Sequence, residues 1–328
     1  MRIRQWDESD QGVFQGMYDA ARAAHAADDP QGPPVSARGM RAVMLSRANA
    51  VTETWHAGAE GWYRLRIPQR ENLNAGFLDV MVHPDQRRHG LGAELLRHAA
   101  GRARAHGRSV LAGETFDGTA GAAFAEAVGA RAGLTEARRR LSVRAVPPGR
   151  IAELRKIAEH AAAGYSLVKW TGAVPDEHLD GIACVLEAMN DAPSDYEDVR
   201  WDARRVREEV NARMERSGNR CYTVIAVHDA TGQTAGLTHV VVDPELPEWG
   251  FQDDTAVARP HRGHRLGLLL KTAMLQWLAD TEPGLRTIET GNAASNRYMI
   301  SINEQLGFEV VRPWWQAYEI PVATVLGT

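Results

Sequence analysis

The stretches HRGHRLGLLLK, His261–Lys271, and QRRHGLGAELL, Gln86–Leu96, share a pattern of arginine, glycine and leucine. Aligning them places Gly92 on Gly267, an offset of 175 residues. A pattern that recurs at a fixed distance indicates that a structural unit has been duplicated within the chain.

The sequence around both stretches follows the same order of predicted elements. The same offset carries Glu114 onto Glu289, inside the apolar runs SVLAGET and LRTIET, which are typical of strands. A β-rich run precedes each arginine stretch, GFLDVMV at 76–82 and GFQDDTAV at 250–257. In the second copy apolar residues recur at helical spacing from Leu266 to Leu278, which predicts a helix. Each copy therefore reads as strand, basic loop, helix and strand.

The length of 328 residues fits two domains of about 150 residues each. The turn signal Pro147-Pro148-Gly149 marks the seam between the copies. We predict an N-terminal domain at 1–148 and a C-terminal domain at 149–328.

The composition predicts an ordinary soluble protein, with 44% hydrophobic and 24% charged residues. No apolar run approaches the roughly 20 residues that a membrane span needs. The net charge of -4 gives no reason to expect nucleic-acid binding, and two cysteines, Cys184 and Cys221, fit a reducing compartment. We expect a cytoplasmic monomer or homodimer with no nucleic-acid or membrane partner.

The two arginine stretches are predicted to bind phosphate. A strand, a short Gly-rich basic loop and a helix bring several backbone N–H groups and a helix N-terminus to one point. The loop has neither the Gly-Lys-Ser/Thr of a P-loop nor the three-glycine spacing of a dinucleotide fingerprint. His261 and His264 have no nearby set of Cys or carboxylate partners, so we expect no metal.

These loops resemble the signature Arg/Gln-x-x-Gly-x-Gly/Ala of the GNAT superfamily of N-acetyltransferases. The stretch Arg87-Arg88-His89-Gly90-Leu91-Gly92 matches it fully, whereas the second copy has Arg265 at the middle glycine. The resemblance implies an α+β (mixed α/β) fold of two tandem GNAT-like domains. Each domain would have a central, mostly antiparallel sheet, splayed between its fourth and fifth strands and flanked by helices. Such a tandem arrangement is similar in architecture to that of the mycothiol synthase family.

In the superfamily this loop holds the pyrophosphate of acetyl-CoA, and the pantetheine arm lies in the splay. The resemblance therefore implies acetyl-CoA as co-substrate, contacted in the second copy by Thr255, Ala256, Val257, Arg262, Gly263, His264, Arg265, Leu266 and Gly267. The corresponding residues of the first copy are Val82, Arg87, Arg88, His89, Gly90 and Gly92. Asn292 and Asn296 lie where they could contact the pantetheine amides, with helix capping as the alternative.

The copies differ where the superfamily carries out its chemistry. Its general base usually lies on the strand before the loop, and strict alternation puts Asp253 on the same face as Val257. On that face the first copy offers only Gly76, Leu78, Val80 and Val82. Asp79 has the opposite parity, so an exposed or ion-paired carboxylate is favoured there. We predict catalysis in the second domain and a degenerate first domain.

Three further residues of the second copy are candidates for catalysis. Asn303 stands where the superfamily has a tyrosine acid, but an amide cannot titrate. Tyr298 is the nearest phenol. Glu289 could bind the amine or act as a second base, with a strand-end salt bridge as the alternative.

These features predict a tandem GNAT N-acetyltransferase that transfers acetyl from acetyl-CoA to the primary amine of a small molecule, by direct attack with general-base help. One alternative is acylation of a peptide or protein amine, or use of a longer acyl-CoA. Another is a non-catalytic, acetyl-CoA-binding regulatory module.

Overall fold

The computed structural model describes residues 2–147 and 149–328 of the chain. Within them the strands are β1 (Arg4–Gln5), β2 (Ala50–His56), β3 (Gly61–Pro68), β4 (Ala75–Val82), β5 (Val110–Phe116), β6 (Arg131–Ser142), β7 (Tyr165–Thr171), β8 (Arg220–His228), β9 (Thr234–Val242), β10 (Trp249–Val257), β11 (Thr287–Ala293) and β12 (Glu309–Pro321). The helices are α1 (Gln11–Asp28), α2 (Ala37–Met44), α3 (Leu91–Ala105), α4 (Ala120–Ala127), α5 (Arg150–Ala161), α6 (Leu179–Glu187), α7 (Ala203–Arg205), α8 (Ala212–Ser217), α9 (Leu266–Thr281), α10 (Arg297–Leu306) and α11 (Val322–Leu326). The predicted mixed α/β fold class is confirmed.

The chain forms two compact units that exchange segments. Unit 1 comprises the residues up to Thr135 together with Asp195–Glu197 and Pro313–Thr328, and unit 2 comprises Glu136–Ser194 and Asp198–Arg312. The units therefore do not follow the continuous stretches 1–148 and 149–328, and Pro148 itself lies outside the described residues. Strand patterns in a sequence show where a strand lies but not which sheet it joins, so such an exchange leaves no local signal.

Unit 1 is a sheet with helices on both faces. Its strands follow the order β1-β2-β3-β4-β5-β12, antiparallel except for the parallel pair of β4 and β5. On one face α3 packs through Leu95 against Tyr63 and Leu111. On the other face, α1 contributes Phe14 and Met17 to a second apolar cluster.

Unit 2 repeats this plan. Its strands follow the order β6-β11-β10-β9-β8-β7, again with one parallel pair, β10 and β11. The helices α5 and α9 cover one face, where Leu270 and Met274 pack in the same cluster as Val240. The helix α6 covers the other face through Ile182, which clusters with Ile225. The predicted helix after the second arginine stretch is α9.

Among the described residues, no helix is long and apolar enough to cross a membrane.

Candidate functional site

The loops after β4 and β10 have the same backbone shape although their sequences differ. In the first loop Arg88 and Gly90 have φ values of 69° and 88°. In the second loop the equivalent residues, Gly263 and Arg265, have φ values of 91° and 54°. Both loops thus use two left-handed residues at matching positions, with glycine and arginine exchanged. Arg265 preserves the loop geometry in place of glycine, at a steric cost of about 1–2 kcal/mol.

Each loop leads directly into a helix whose first turn lacks a side-chain cap. Gly90 and Arg265 are the N-cap residues of α3 and α9, and neither N-cap makes a side-chain hydrogen bond. The loop residues are exposed at Arg88, His89 and Gly90, and at Gly263, His264 and Arg265. Exposed backbone donors at the positive end of a helix favour an anion such as a phosphate. Both loops therefore have the geometry of a phosphate site.

The last glycine of each motif lets two helices approach each other. A Cβ atom added to Gly267 would lie 3.0 Å from Ile302 Cδ1 of α10. A Cβ atom added to Gly92 would lie 3.3 Å from Phe124 Cε2 of α4. The glycines thus bring α10 and α4 beside their phosphate loops.

The first arginine of each motif is tied to a carboxylate. Arg262 Nη2 lies 2.6 Å from Asp191 Oδ2, and Arg262 Nε donates to Val257 O at 3.1 Å. In unit 1 Arg87 makes a two-pronged contact with Asp28, at 2.9 and 2.8 Å. These arginines anchor the loops to the preceding helical segments, so any phosphate contact they make is in addition to that role. The nearby arginines hold the pKa of the Asp191 carboxyl well below its usual value.

The strands beside each loop separate as a splayed sheet should. The pairing of β10 with β11 runs only from Trp249 with Thr287 to Phe251 with Glu289. At the fork, Thr290 Oγ1 donates to Gln252 O at 3.1 Å. In unit 1, β4 pairs with β5 only over 75–77 and 110–112. The splay between the fourth and fifth strands that the resemblance implies is present in both units. Thr255, Ala256 and Val257 lie on its β10 side in unit 2.

A bulge interrupts β10 at the fork and changes the expected direction of its side chains. The register with β9 shifts between Gln252 and Thr255, so Asp253 and Asp254 together face a single residue of the partner strand. The strict alternation that singles out Asp253 therefore does not hold across these residues. In unit 1, by contrast, β4 pairs with β3 without a shift.

Asp253 and Asp254 have different surroundings. Asp253 is 40% exposed, and its Oδ2 lies 3.4 Å from Arg213 Nη2 of α8. Asp254 is half-buried. Desolvation of its carboxyl, followed by the negative charge of Asp253, raises the pKa of Asp254 to about 7. A carboxyl that titrates near neutral pH beside the splay is suited to accept a proton from an amine.

The buried His239 lies on β9 in this part of unit 2. Its Nδ1 lies 2.9 Å from Thr223 Oγ1. Burial lowers the pKa of His239 to about 4, against the influence of Asp253. The imidazole is thus neutral near pH 7 and leaves Asp254 as the group that titrates there.

Glu289 is held in a buried ion-pair network. Its Oε1 lies 3.0 Å from Arg138 Nε, and its Oε2 lies 2.6 Å from Arg140 Nε. Both carboxylate oxygens are engaged, so the geometry agrees with the salt-bridge alternative and offers little to a second-base role. Its repeat mate Glu114 is exposed in unit 1.

The remaining candidates lie on or beside α10. Tyr298 is 89% exposed, so the structure does not bring its phenol into contact with the buried candidates. Asn296 caps α10 by accepting from Met299 N at 3.2 Å, which agrees with the capping alternative. Asn303 is fully buried, and its Nδ2 donates to Asn292 Oδ1 at 2.7 Å. Of these side chains the structure joins only Asn292 and Asn303.

Sequence reasoning missed Asp254 and Lys271. Asp254 is excluded by an alternation that the bulge breaks. Lys271 is a buried lysine within the apolar run of α9. A lysine on an otherwise apolar helix face is the sequence signal that could have identified it.

His261 Nδ1 and the hydroxyl oxygen of Tyr165 lie 3.0 Å apart and share a hydrogen bond. Within the ranges 2–147 and 149–328, no group of three or more His, Cys, Asp or Glu side chains is placed to hold a metal ion.

Comparisons with known proteins agree with this geometry. A sequence model of the acetyltransferase (GNAT) family matches residues 52–129 and 186–308. The chain is similar to a solved tandem GNAT protein from the clavulanic acid biosynthesis pathway, with 29% identity, 98% of each chain covered and a TM-score of 0.81. It shares its fold with a GCN5-related N-acetyltransferase from Sphaerobacter thermophilus, with 17% identity, a TM-score of 0.67 and coverage of 98% of this chain and 95% of that one. No curated protein matches the sequence.

Proposed function

Because the chain belongs to the acetyltransferase (GNAT) family and is an acyltransferase of tandem architecture, we propose that unit 2 transfers the acetyl group of acetyl-CoA to the primary amine of a small molecule. The observation that carries this proposal is the β10 bulge, which sets two consecutive carboxylates beside the splay in unit 2. The matching strand of unit 1 has no bulge.

The phosphate loop and the splay support acetyl-CoA as the donor. The two left-handed residues and the uncapped start of α9 suit the pyrophosphate, and the gap between β10 and β11 suits the pantetheine arm. The thioester would then reach the fork between the two strands, next to the bulge.

We assign the role of general base to Asp254 rather than to Asp253. Asp254 accepts a proton from the ammonium form of the acceptor, directly or through water, and the neutral amine attacks the thioester carbonyl carbon. A C–N bond forms and the C–S bond breaks. The CoA thiolate leaves and receives the second proton, which the attacking nitrogen loses once the C–N bond has formed, so the products are an N-acetylated amine and free CoA.

In this proposal water relays that proton from the nitrogen to the thiolate. Tyr298 is exposed, and the Asn303 amide is buried and cannot titrate. Neither is therefore assigned as a general acid.

The acceptor is proposed to be cationic before it reacts. Asp253 and Asp254 place negative charge beside the fork, and Arg213 compensates it in part. Opposite charges would concentrate an ammonium there and disfavour an anionic acceptor.

Unit 1 is proposed to hold acetyl-CoA without carrying out chemistry. Its loop repeats the geometry of unit 2, including the anchoring of Arg87 by Asp28. Asp79 on β4 is instead paired with Arg64, whose Nε lies 2.7 Å away.

The experiment is a screen of amines, including peptides with a free N-terminus, that measures the release of CoA thiol from acetyl-CoA. The proposal expects turnover with a small cationic amine. Turnover only with peptides, or only with a longer acyl-CoA, would contradict the assigned substrates. Binding of acetyl-CoA with no turnover on any amine would favour a regulatory module.

A further inference from the structure

Lys271 is a buried lysine that the proposed chemistry does not use. It lies on α9, four residues after Gly267 and therefore on the same side of the helix. The residue is 1% exposed, and its Nζ donates to Asn303 Oδ1 at 2.7 Å. Among the described residues no carboxylate pairs with it, and its ammonium lies 5.4 Å from the centre of the Phe308 ring.

Such a placement costs the protein stability. Burial without a counter-ion disfavours the charged form and lowers the pKa of Lys271 to about 7. A methionine would fill the same apolar position without that cost. The lysine therefore calls for an explanation beyond the packing of α9.

The hydrogen bonds that start at Lys271 have a fixed direction. Lys271 Nζ donates to the Asn303 oxygen, and in its protonated form it can only donate, so that oxygen faces Lys271. The Asn303 Nδ2 group is thereby turned towards Asn292, and it donates to Asn292 Oδ1 at 2.7 Å. The Oδ1 of Asn292 is then used as an acceptor, which leaves its Nδ2 group as the donor end of the chain.

That donor end lies at the splay. The pairing of β11 with β10 stops at Glu289, three residues before Asn292. On its other edge Asn292 is paired with Ala137 of β6, so the backbone there is fixed. The side chain is half-buried.

We propose that Lys271, acting through Asn303, orients Asn292 so that its Nδ2 group donates a hydrogen bond to a carbonyl oxygen of the pantetheine arm. Lys271 is a positioning residue, since it acts through another side chain. The inference rests on the proposed use of acetyl-CoA in unit 2, and it adds to the expected pantetheine contact of Asn292 a residue, Lys271, that sets the direction of that contact.

Four single variants and one double variant test it. Lys271→Met removes the fixed direction, and Asn292→Ala removes the final donor. Asn303→Asp still accepts from Lys271 but has no donor for Asn292. Lys169→Met is the matched control. Lys169 is an exposed lysine whose Nζ lies 5.2 Å from the centre of the Trp277 ring, and Trp277 is on α9, the helix that carries Lys271.

We expect Lys271→Met, Asn292→Ala and Asn303→Asp each to raise the KM for acetyl-CoA by roughly 3- to 10-fold, the effect of one hydrogen bond. The kcat at saturating acetyl-CoA should change less than about twofold, because the contact is made equally before and during the reaction. Lys169→Met should match the wild type. The double variant Lys271→Met/Asn292→Ala should be no weaker than Asn292→Ala alone.

A folded Lys271→Met protein with the wild-type KM would overturn the inference, and so would additive effects in the double variant. A fall in kcat at unchanged KM would also contradict it. If Lys271→Met does not fold, Asn303→Asp decides the question, because it retains the partner of Lys271.

Calorimetric titration with acetyl-CoA, fitted with one site in each unit, gives the same comparison without turnover. A wild type that neither binds acetyl-CoA nor turns over would reject the proposed function itself. A wild type that does both, with Lys271→Met unchanged, would reject the positioning role alone.

Discussion

Asp79 and Asp254 occupy the same position in the two copies, 175 residues apart, yet they differ in environment. Asp79 lies on a regular strand, 48% exposed and paired with Arg64. Asp254 lies in a bulge, where burial and the charge of Asp253 raise its pKa to about 7. The two environments differ because β10 has a bulge where β4 is regular. Asp79 forms a surface ion pair, whereas the Asp254 carboxyl can exchange a proton near neutral pH.

The first prediction concerns pH. The base must be ionised to accept a proton, so kcat should be low below pH 7, where Asp254 is protonated, and should rise through about 7. The measurement is a pH profile of kcat at saturating substrates. A profile that is flat between pH 5 and 8 would exclude Asp254 as the base.

The second prediction concerns Asp253. Asp253→Asn removes the charge that helps to raise the pKa of Asp254, so the midpoint of the pH profile should move to lower pH. The control is Glu248→Gln, which removes a surface charge paired with Arg286 and should leave the midpoint in place. A midpoint that stays unchanged in Asp253→Asn would show that the two carboxyls are not coupled.

The third prediction concerns stability. The folded state raises the pKa of Asp254 above its ordinary value of about 3.9, so ionisation costs stability as pH rises from about 4 to about 7. Above pH 7 Asp254 is ionised in the folded state as well, and the full reduction in the free energy of unfolding is present. Asp254→Asn removes it, and its gain in Tm over the wild type should be larger at pH 8 than at pH 5. Thermal unfolding at both pH values measures this, and a larger gain at pH 5 would have the wrong sign.

The fourth prediction compares the two phosphate loops. Gly263 and Gly90 have φ values of 91° and 88°, which a β-branched side chain avoids. Gly263→Val should distort the loop of unit 2 and lower kcat/KM for acetyl-CoA by roughly 10-fold or more, the loss of one or two phosphate contacts. Gly90→Val introduces the same strain in unit 1 and should spare turnover per folded molecule. The reverse pattern would place the chemistry in unit 1.

The repeat, the two loops and the resemblance that implies the splay could be predicted from the sequence, because each depends on local residue types at fixed spacing. Arg265 did not prevent the loop from forming, since its backbone adopts the left-handed conformation that the glycine would have used. The choice of Asp253 over Asp254 depends on strict alternation, and a bulge has no dependable signal in a single sequence.

The sequence likewise does not predict that Pro313–Thr328 belongs to unit 1, because this depends on long-range strand pairing. The Lys271 chain depends on three residues from different elements, α9, α10 and β11, that only the folded structure brings together. Glu289 illustrates the same limit, because its partners Arg138 and Arg140 lie about half the chain away.

The most direct test of the central claim, that Asp254 of unit 2 is the base, is a steady-state comparison of Asp254→Asn with Asp79→Asn. Both variants keep the size of the side chain and remove one carboxylate at the same position of the repeat. Asp254→Asn should lower kcat by roughly 10²- to 10⁴-fold while the affinity for acetyl-CoA stays within about twofold, and Asp79→Asn should retain wild-type turnover. Near-normal turnover in Asp254→Asn together with a folded but inactive Asp79→Asn would contradict the account and assign the reaction to unit 1.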